Sequence, residues 1–289
     1  MAYKSIPAHA QGDQGFYKCT YKPDIVYRTV DGIELKLQLI VPMQSETLPP
    51  LVVYIQGSGW AKQDTYLALP QLSQLTCHGF AVASVAYRDT SITTFPANAE
   101  DTKAAVRFLR AHAEEFGFDG SRIGAWGTSS GGHTAAMLGV SEGFFGTEDY
   151  ADQSDAVQAV VDFYGPTDLL HLDDYPGAML HASPDSPESM LIGGPLMENP
   201  EKAIQASPIT YVSPEQPIPP FLIFHGDEDD KVHFSQSERF CAALLAAGKD
   251  AELIRIIGGK HGDDGGVMGP DTLPLVIDFF TKHLKEETL

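Results

Sequence analysis

The stretch RIGAWGTSSGGH, Arg122 to His133, decides how this chain is read. Its first half has the apolar pattern of a buried strand, and SGGHTAAMLGV (130–140) continues with small, helix-compatible residues. Ser129 lies between Gly127 and Gly131 in a G-x-S-x-G pattern at the resulting strand-to-helix turn. Chance alone would produce that pattern in on the order of one chain in ten of this length, so its flanks must decide. A nucleophile elbow belongs at such a turn. The tight bend forces the serine into an unfavourable backbone region, and side chains at the neighbouring glycine positions would clash. The following helix also turns its N-terminus toward developing negative charge. A phosphate-binding or merely tight turn is the competing reading, weakened because no lysine follows as in a P-loop.

The 289 residues, 43% hydrophobic and 20% charged, have a globular composition with room for one large α/β domain or two small ones. The opening MAYKSIPAHAQGDQGFYKC lacks the apolar run of a signal peptide, and no later stretch approaches the roughly 18 apolar residues of a membrane span. The expectation is a soluble, cytoplasmic protein with no membrane partner. Cys19, Cys77 and Cys241 lack C-x-x-C spacing and predict free thiols, with neither a disulfide framework nor a zinc site. A formal charge of −20 repels nucleic acid and anionic surfaces and favours neutral substrates.

Apolar β-branched runs alternate with longer amphipathic stretches, the rhythm of a mainly parallel sheet. DIVYRTV and IELKLQLIV flank Asp31-Gly32 and predict an opening antiparallel hairpin. Strand runs follow at 50–56, 80–88, 122–127, 156–165, 219–226 and 251–259. Helical patterns fall between them, clearest over 97–116, where Ala105, Phe108, Leu109 and Ala113 share a face, and over 237–248, ending at a C-capping Gly248. A last helical stretch, DTLPLVIDFFTKHLKEE, closes the chain. The segment from about 166 to 218 interrupts the rhythm and is too short to be a domain. One domain over 1–289, with this segment as a small covering insertion, is the expected organisation.

A serine hydroxyl needs a histidine to take its proton and an acid to orient that histidine. His261 follows the last strand in the glycine-rich GGKHGDD, where it can reach the carboxyl end of the sheet. His233 is its rival, just beyond an acidic loop, whereas His225 at an apolar strand end and His112, His133 and His283 on helical stretches read as structural. HGDEDDKV offers Asp227, Glu228, Asp229 and Asp230 as the acid, and composition does not choose among them. A solvated turn or a weak cation site is the bland alternative for this cluster. Asp263 and Asp264 follow His261 closely, and carboxylates there would favour its imidazolium.

With the order serine, acid, histidine, the chain resembles the α/β-hydrolase fold. More narrowly it resembles bacterial carboxylesterases related to hormone-sensitive lipase, especially acetyl-xylan and feruloyl carbohydrate esterases. YIQGSGW (54–60), AYR (86–88), FPANAEDTKAAVRFLR (95–110), RIGAWGTSSGGH, DFYGPTDL (162–169), SPES (186–189) and ASPITYVS (206–213) carry the likeness. It implies an eight-stranded, mostly parallel sheet flanked by helices, with a short cap after the sixth strand. It matches Ser129 to the nucleophile and His261 to the general base. In the pattern H-G-x-x-D-x-x-V it selects Asp229 as the acid, with Val232 closing the motif. The usual His-Gly-Gly-Gly-Trp signature reads Gln56, Gly57, Ser58, Gly59, Trp60 here, departing at two positions. The amides of Gly57, Ser58 and Ser130 are the implied oxyanion hole, with Gln56 standing in for the histidine's structural hydrogen bonds.

Trp60 either lines the substrate site or packs beneath its loop. Asp168 is a secondary candidate acid, and His171, Tyr175, Met179 and His181 are candidates for the pocket face of the insertion. The implied activity is two-step hydrolysis of short-chain acyl or hydroxycinnamoyl esters of small alcohols or sugars, with no metal or organic cofactor. Its partner is a small neutral ester, a diffusible and imported one rather than intact polymer, and homo-oligomerisation stays open. A serine peptidase or amidase on the same scaffold, or a non-catalytic binding protein, are the alternatives.

Overall fold

In the computed structural model, which describes residues 18–43, 47–262, 267 and 269–285, the Asp31-Gly32 turn joins β1 (Cys19–Val30) to β2 (Ile33–Pro42). Both turn residues take positive φ, 51° and 80°, as the two-residue hairpin requires. The remaining apolar runs form β3 (Pro50–Ile55), β4 (Ala81–Val85), β5 (Asp119–Thr128), β6 (Ala159–Phe163), β7 (Phe221–Gly226) and β8 (Ala251–Ile256). They make one eight-stranded sheet in the order β1-β2-β4-β3-β5-β6-β7-β8. The β1/β2 and β2/β4 pairs are antiparallel and every other pair is parallel.

Helices cover both faces: α1 (Leu69–Thr76), α2 (Ala97–Ala111), α3 (Ala113–Phe116), α4 (Ser130–Val140), α5 (Pro187–Ile192), α6 (Pro200–Gln205), α7 (Ser235–Ala246) and α8 (Leu273–Leu284). The strand period of two sorts β3 between them. Leu51, Val53 and Ile55 join the core with α2, α4 and α7, whereas Val52 and Tyr54 join the one with α1 and α8. The carboxyl ends of β5 and β7, which carry two of the chemistry-bearing loops, therefore emerge from the buried part of the sheet, and β8 brings the third from its edge.

The predicted helix over 97–116 breaks at His112 (φ −105°, ψ 15°) into α2 and α3, and Gly117 at φ 85° ends it. The eight-residue α1 is too short for its periodicity to stand out in the sequence. The segment 166–218 holds α5, α6 and three 3₁₀ turns, tied to α4 through Ala206, to the loop after β7 through His181 and to α7 through Asp168. No helix among the described residues is long and apolar enough to cross a membrane.

Candidate active site

Strand β5 delivers the chain to Ser129, which adopts φ 52°, ψ −125°, a conformation that L-residues rarely hold without support. The support is close backbone packing. A Cβ at Gly127 would sit 2.0 Å from Gly131 O, and one at Gly131 would sit 2.1 Å from Ile55 O. Ser129 N–H donates to Phe163 O at 2.8 Å, and Ser129 O accepts from His133 N–H at 3.0 Å, so β6 and the first turn of α4 pin the serine from both sides.

Ser129 Oγ lies 2.9 Å from His261 Nε2, and His261 Nδ1 lies 2.7 Å from Asp229 Oδ2. The three residues come from the loops after β5, β8 and β7. The other carboxylate oxygen of Asp229 accepts the N–H groups of Lys231 and Val232, both at 2.9 Å. Burial alone would raise the Asp229 carboxyl. Contacts with His225 and His261 overcome that and hold it well below the ordinary carboxylate range. It is an anion fixed against the imidazole, which sets the ring's orientation and leaves Nε2 facing the serine.

The other acids have separate work. Asp227 accepts Gly258 N–H and pairs with Arg255, and Asp168 lies 3.8 Å from Arg239. His233 stacks on Tyr175 at 4.1 Å and shares a hydrogen bond with Ser235, away from Ser129. Asp263 and Asp264 lie outside the described residues.

On the opposite wall the oxyanion set implied by the resemblance needs correction. Gly57 N–H donates to Thr128 Oγ1 at 3.1 Å and Ser58 N–H donates to Ser130 Oγ at 2.9 Å, so both amides are engaged by hydroxyls of the elbow. The amides of Gly59 and Ser130 make no hydrogen bond to any described group. Gly59 has φ 61°, which turns the loop at the lip of the cleft. Gln56 does tie the loop down, its Oε1 accepting Asp64 N–H at 2.6 Å.

Trp60 is only 1% exposed. It packs in the core while bordering a cavity beside Ser129, and its indole N–H donates to His133 Nδ1 at 3.3 Å. His133 Nε2–H in turn donates to Ala206 O at 2.7 Å. Burial pushes His133 down to about 4, so it is neutral and fastens α4 to both the oxyanion loop and the insertion.

The sequence undervalued two histidines. His225 is fully buried, with Nε2 2.8 Å from Val232 O and 3.3 Å from Asp229 Oδ2 and Nδ1 2.7 Å from Ser237 Oγ, so it packs against the acid and ties its loop to α7. A histidine ending an otherwise apolar strand, four residues before Asp229, was the available signal for it. For His133 the only signal was its place beside the elbow glycines.

Two cavities meet at Ser129 and His261. One, of about 380 Å³, is walled by Tyr54, Leu67, Ala68, Leu72 and Tyr164. The other, of about 330 Å³, lies against the insertion and is lined by Trp60, Pro166, Met179, His181, Glu188 and Lys231. Of the expected pocket-face residues, Met179 and His181 border this space. His171 pairs with Asp174, and Tyr175 covers His233.

The sheet order, the strained serine after β5 and the acid and histidine after β7 and β8 define an α/β-hydrolase. The BD-FAE family model matches residues 37–244, and the chain belongs to that family. Esterase LipQ of Mycobacterium tuberculosis is 30% identical over 201 residues, covering 69% of this chain and 46% of that protein. Isoprenylcysteine alpha-carbonyl methylesterase ICME of Arabidopsis thaliana is 27% identical over 264 residues, 86% of this chain and 58% of that protein. The chain thus spans about half the length of these curated relatives. Among solved structures, a truncated carbohydrate esterase from gut microbiota superposes with TM-score 0.82 at 29% identity, over 93% of this chain and 98% of that one. Butyrate-bound Est2 of Thermogutta terrifontis gives 0.75 at 25% identity, over 95% and 98%.

Proposed function

We propose that this chain is a serine carboxylesterase acting on short-chain acyl or hydroxycinnamoyl esters of small alcohols or sugars. The observation that carries the reading is the continuous relay from Ser129 Oγ through His261 to Asp229, at 2.9 and 2.7 Å, with the serine raised on a strained turn.

His261 Nε2 takes the Ser129 proton as Oγ attacks the ester carbonyl, and the imidazolium is stabilised by the ionised Asp229. The carbonyl oxygen becomes an oxyanion received by the Ser130 and Gly59 amides, with the α4 N-terminus behind them. His261 returns the proton to the leaving alkoxide, and the alcohol departs. Water, deprotonated by the same histidine, then attacks the acyl-serine and releases the acid. The apolar walls near Leu67, Leu72 and Tyr164 suit a small or aromatic acyl group, and the net charge of −20 suits a neutral ester.

Hydrolysis of p-nitrophenyl acetate, butyrate and octanoate and of methyl ferulate, by wild type beside Ser129→Ala, tests this. Turnover in the wild type should fall at least about 10⁴-fold in the variant, as for other triads that lose their nucleophile. Equal, near-background rates in both proteins would overturn the reading.

A further inference from the structure

We propose that the stretch of the insertion from Gly177 to His181 positions the catalytic acid, acting on Asp229 through two successive peptide groups of its loop. This rests on the esterase reading above and deepens it, because the insertion then holds the triad in register as well as walling the cleft.

Asp229 Oδ1 accepts from Lys231 N–H and Val232 N–H, both at 2.9 Å. Each of those N–H groups shares a planar peptide unit with the carbonyl of the residue before it, which faces the opposite way. The insertion meets both carbonyls. Ala178 N–H donates to Asp230 O at 2.6 Å, and His181 Nε2–H donates to Lys231 O at 2.7 Å. Two hydrogen-bonded chains therefore converge on one carboxylate oxygen, each passing from the insertion through a single peptide. A donor on a peptide oxygen polarises that peptide and strengthens its N–H, and it also fixes the peptide plane. With Oδ1 held in this way, Oδ2 is left facing His261 Nδ1 at 2.7 Å. The next carbonyl, Val232 O, accepts from His225 Nε2–H at 2.8 Å, so three consecutive carbonyls of the turn are gripped.

His181 is equipped to be a strong donor. Its side chain is 4% exposed, and Nδ1 lies 3.1 Å from Oε2 of the equally buried Glu188. Burial alone would lower the imidazole, but Glu188, the Lys231 carbonyl and Asp173 outweigh it and raise it. A charged ring donates more strongly than a neutral one. Asp173 also accepts the N–H groups of His181 and Ala182, at 2.9 and 2.7 Å, which fixes the end of the stretch. At its start, a Cβ on Gly177 would sit 2.7 Å from Asp230 O. The absence of a side chain there is what lets the two backbones come close enough for Ala178 N–H to reach. A loop that only roofed the cleft would need no such approach.

Gly177 is exposed, so Gly177→Ala should fold and lose only the close approach. Its kcat for p-nitrophenyl acetate should fall about tenfold, the size of a lost hydrogen bond to a charged group, with KM within about twofold. An unchanged kcat overturns the proposal. His181→Met, which keeps bulk without a donor, should show the same split, and His181→Gln, whose amide can place an N–H where Nε2–H stood, should return kcat to within about threefold of wild type. Equal losses in these two would mean that packing rather than donation is at work, and would overturn the role of His181. Should His181→Met not fold, Gly177→Ala decides.

Asp229→Asn supplies the readout that a merely structural role would not move. If the stretch acts through the acid, adding Gly177→Ala to Asp229→Asn should cost less than about twofold more in kcat. A full further tenfold loss would place its action elsewhere and sink the proposal. Loss of p-nitrophenyl acetate turnover in Ser129→Ala secures the esterase reading by itself, so failure of these effects removes the positioning role alone.

Discussion

The two walls of the cleft are held in place by different means. On the elbow wall, backbone fixes backbone: Gly127 and Gly131 approach carbonyl groups so closely that no Cβ fits, and Ser129 is anchored through its own amide and carbonyl. On the insertion wall, side chains set the shape, through His181 with Glu188 and Lys231 and through Ser186, which caps α5 and donates to His181 O. A backbone-built wall tolerates almost no substitution and holds the reacting serine. A wall built of side chains can be re-cut to change what is bound while leaving the elbow alone.

The largest effect that would break this contrast lies in the acid loop, where four carboxyls lie side by side and Asp229 alone faces His261. In Asp229→Asn, the amide removes the anion and presents His261 Nδ1 with a group that no longer fixes the tautomer. Turnover should drop by about 10³ to 10⁴. Asp227→Asn, two residues away at the surface beside Arg255, should stay within about twofold of wild type. Comparable losses for both in kcat/KM would mean that the loop as a whole, rather than one carboxylate, orients the histidine.

How much was legible in the sequence follows the same division. The elbow could be read because sterics leave few residue types for it, and Asp31-Gly32 could be read because a two-residue hairpin demands positive φ. Asp229 could not be separated from its neighbours by composition, since what distinguishes it is the inward turn of its carboxylate onto two amides and two histidines. The resemblance placed two of the oxyanion donors at Gly57 and Ser58. The hydroxyls of Thr128 and Ser130, distant in sequence, claim the amides of Gly57 and Ser58, and a pattern of glycines carries no trace of that. Glu188 and His181 were invisible as a pair because their contact depends on the irregular path of the insertion.

Asp162 sharpens the comparison by showing what the elbow wall costs. Its carboxyl is wholly buried, with Oδ1 accepting Gly165 N–H at 3.0 Å and lying where a Cβ on Gly132 would be, and Oδ2 has no partner. Burial raises it from 3.8 to about 7 despite that hydrogen bond. Between those values the unfolded carboxyl has ionised while the folded one keeps its proton. Folded protein therefore binds more protons than unfolded, and stability falls with rising pH by up to about 1.4 kcal/mol per unit. Asp162→Asn abolishes this dependence. Its stability relative to wild type should climb by roughly 2 to 3 kcal/mol from pH 5 to pH 7 in urea unfolding. A difference that stays flat over that range would mean the carboxyl is ionised in the fold, with its second oxygen solvated.

The smallest effect falls where the two walls are stitched together. Trp60 joins the oxyanion loop to His133 through one indole N–H, and His133 joins α4 to the insertion through Ala206. Trp60→Phe keeps an aromatic ring in the core and removes only that donor, leaving His133 Nδ1 as a buried acceptor without a partner. At 3.3 Å the bond is long, so the loss should be about 1 kcal/mol, visible as a shift of a few degrees in Tm. If the stitch merely holds the walls together, kcat/KM for p-nitrophenyl acetate should change less than about threefold, because the loop is also tied to the elbow through Thr128 and Ser130. A much larger fall in kcat with Tm unchanged would show that the oxyanion amides depend on the indole, and that the elbow wall is not held by backbone alone.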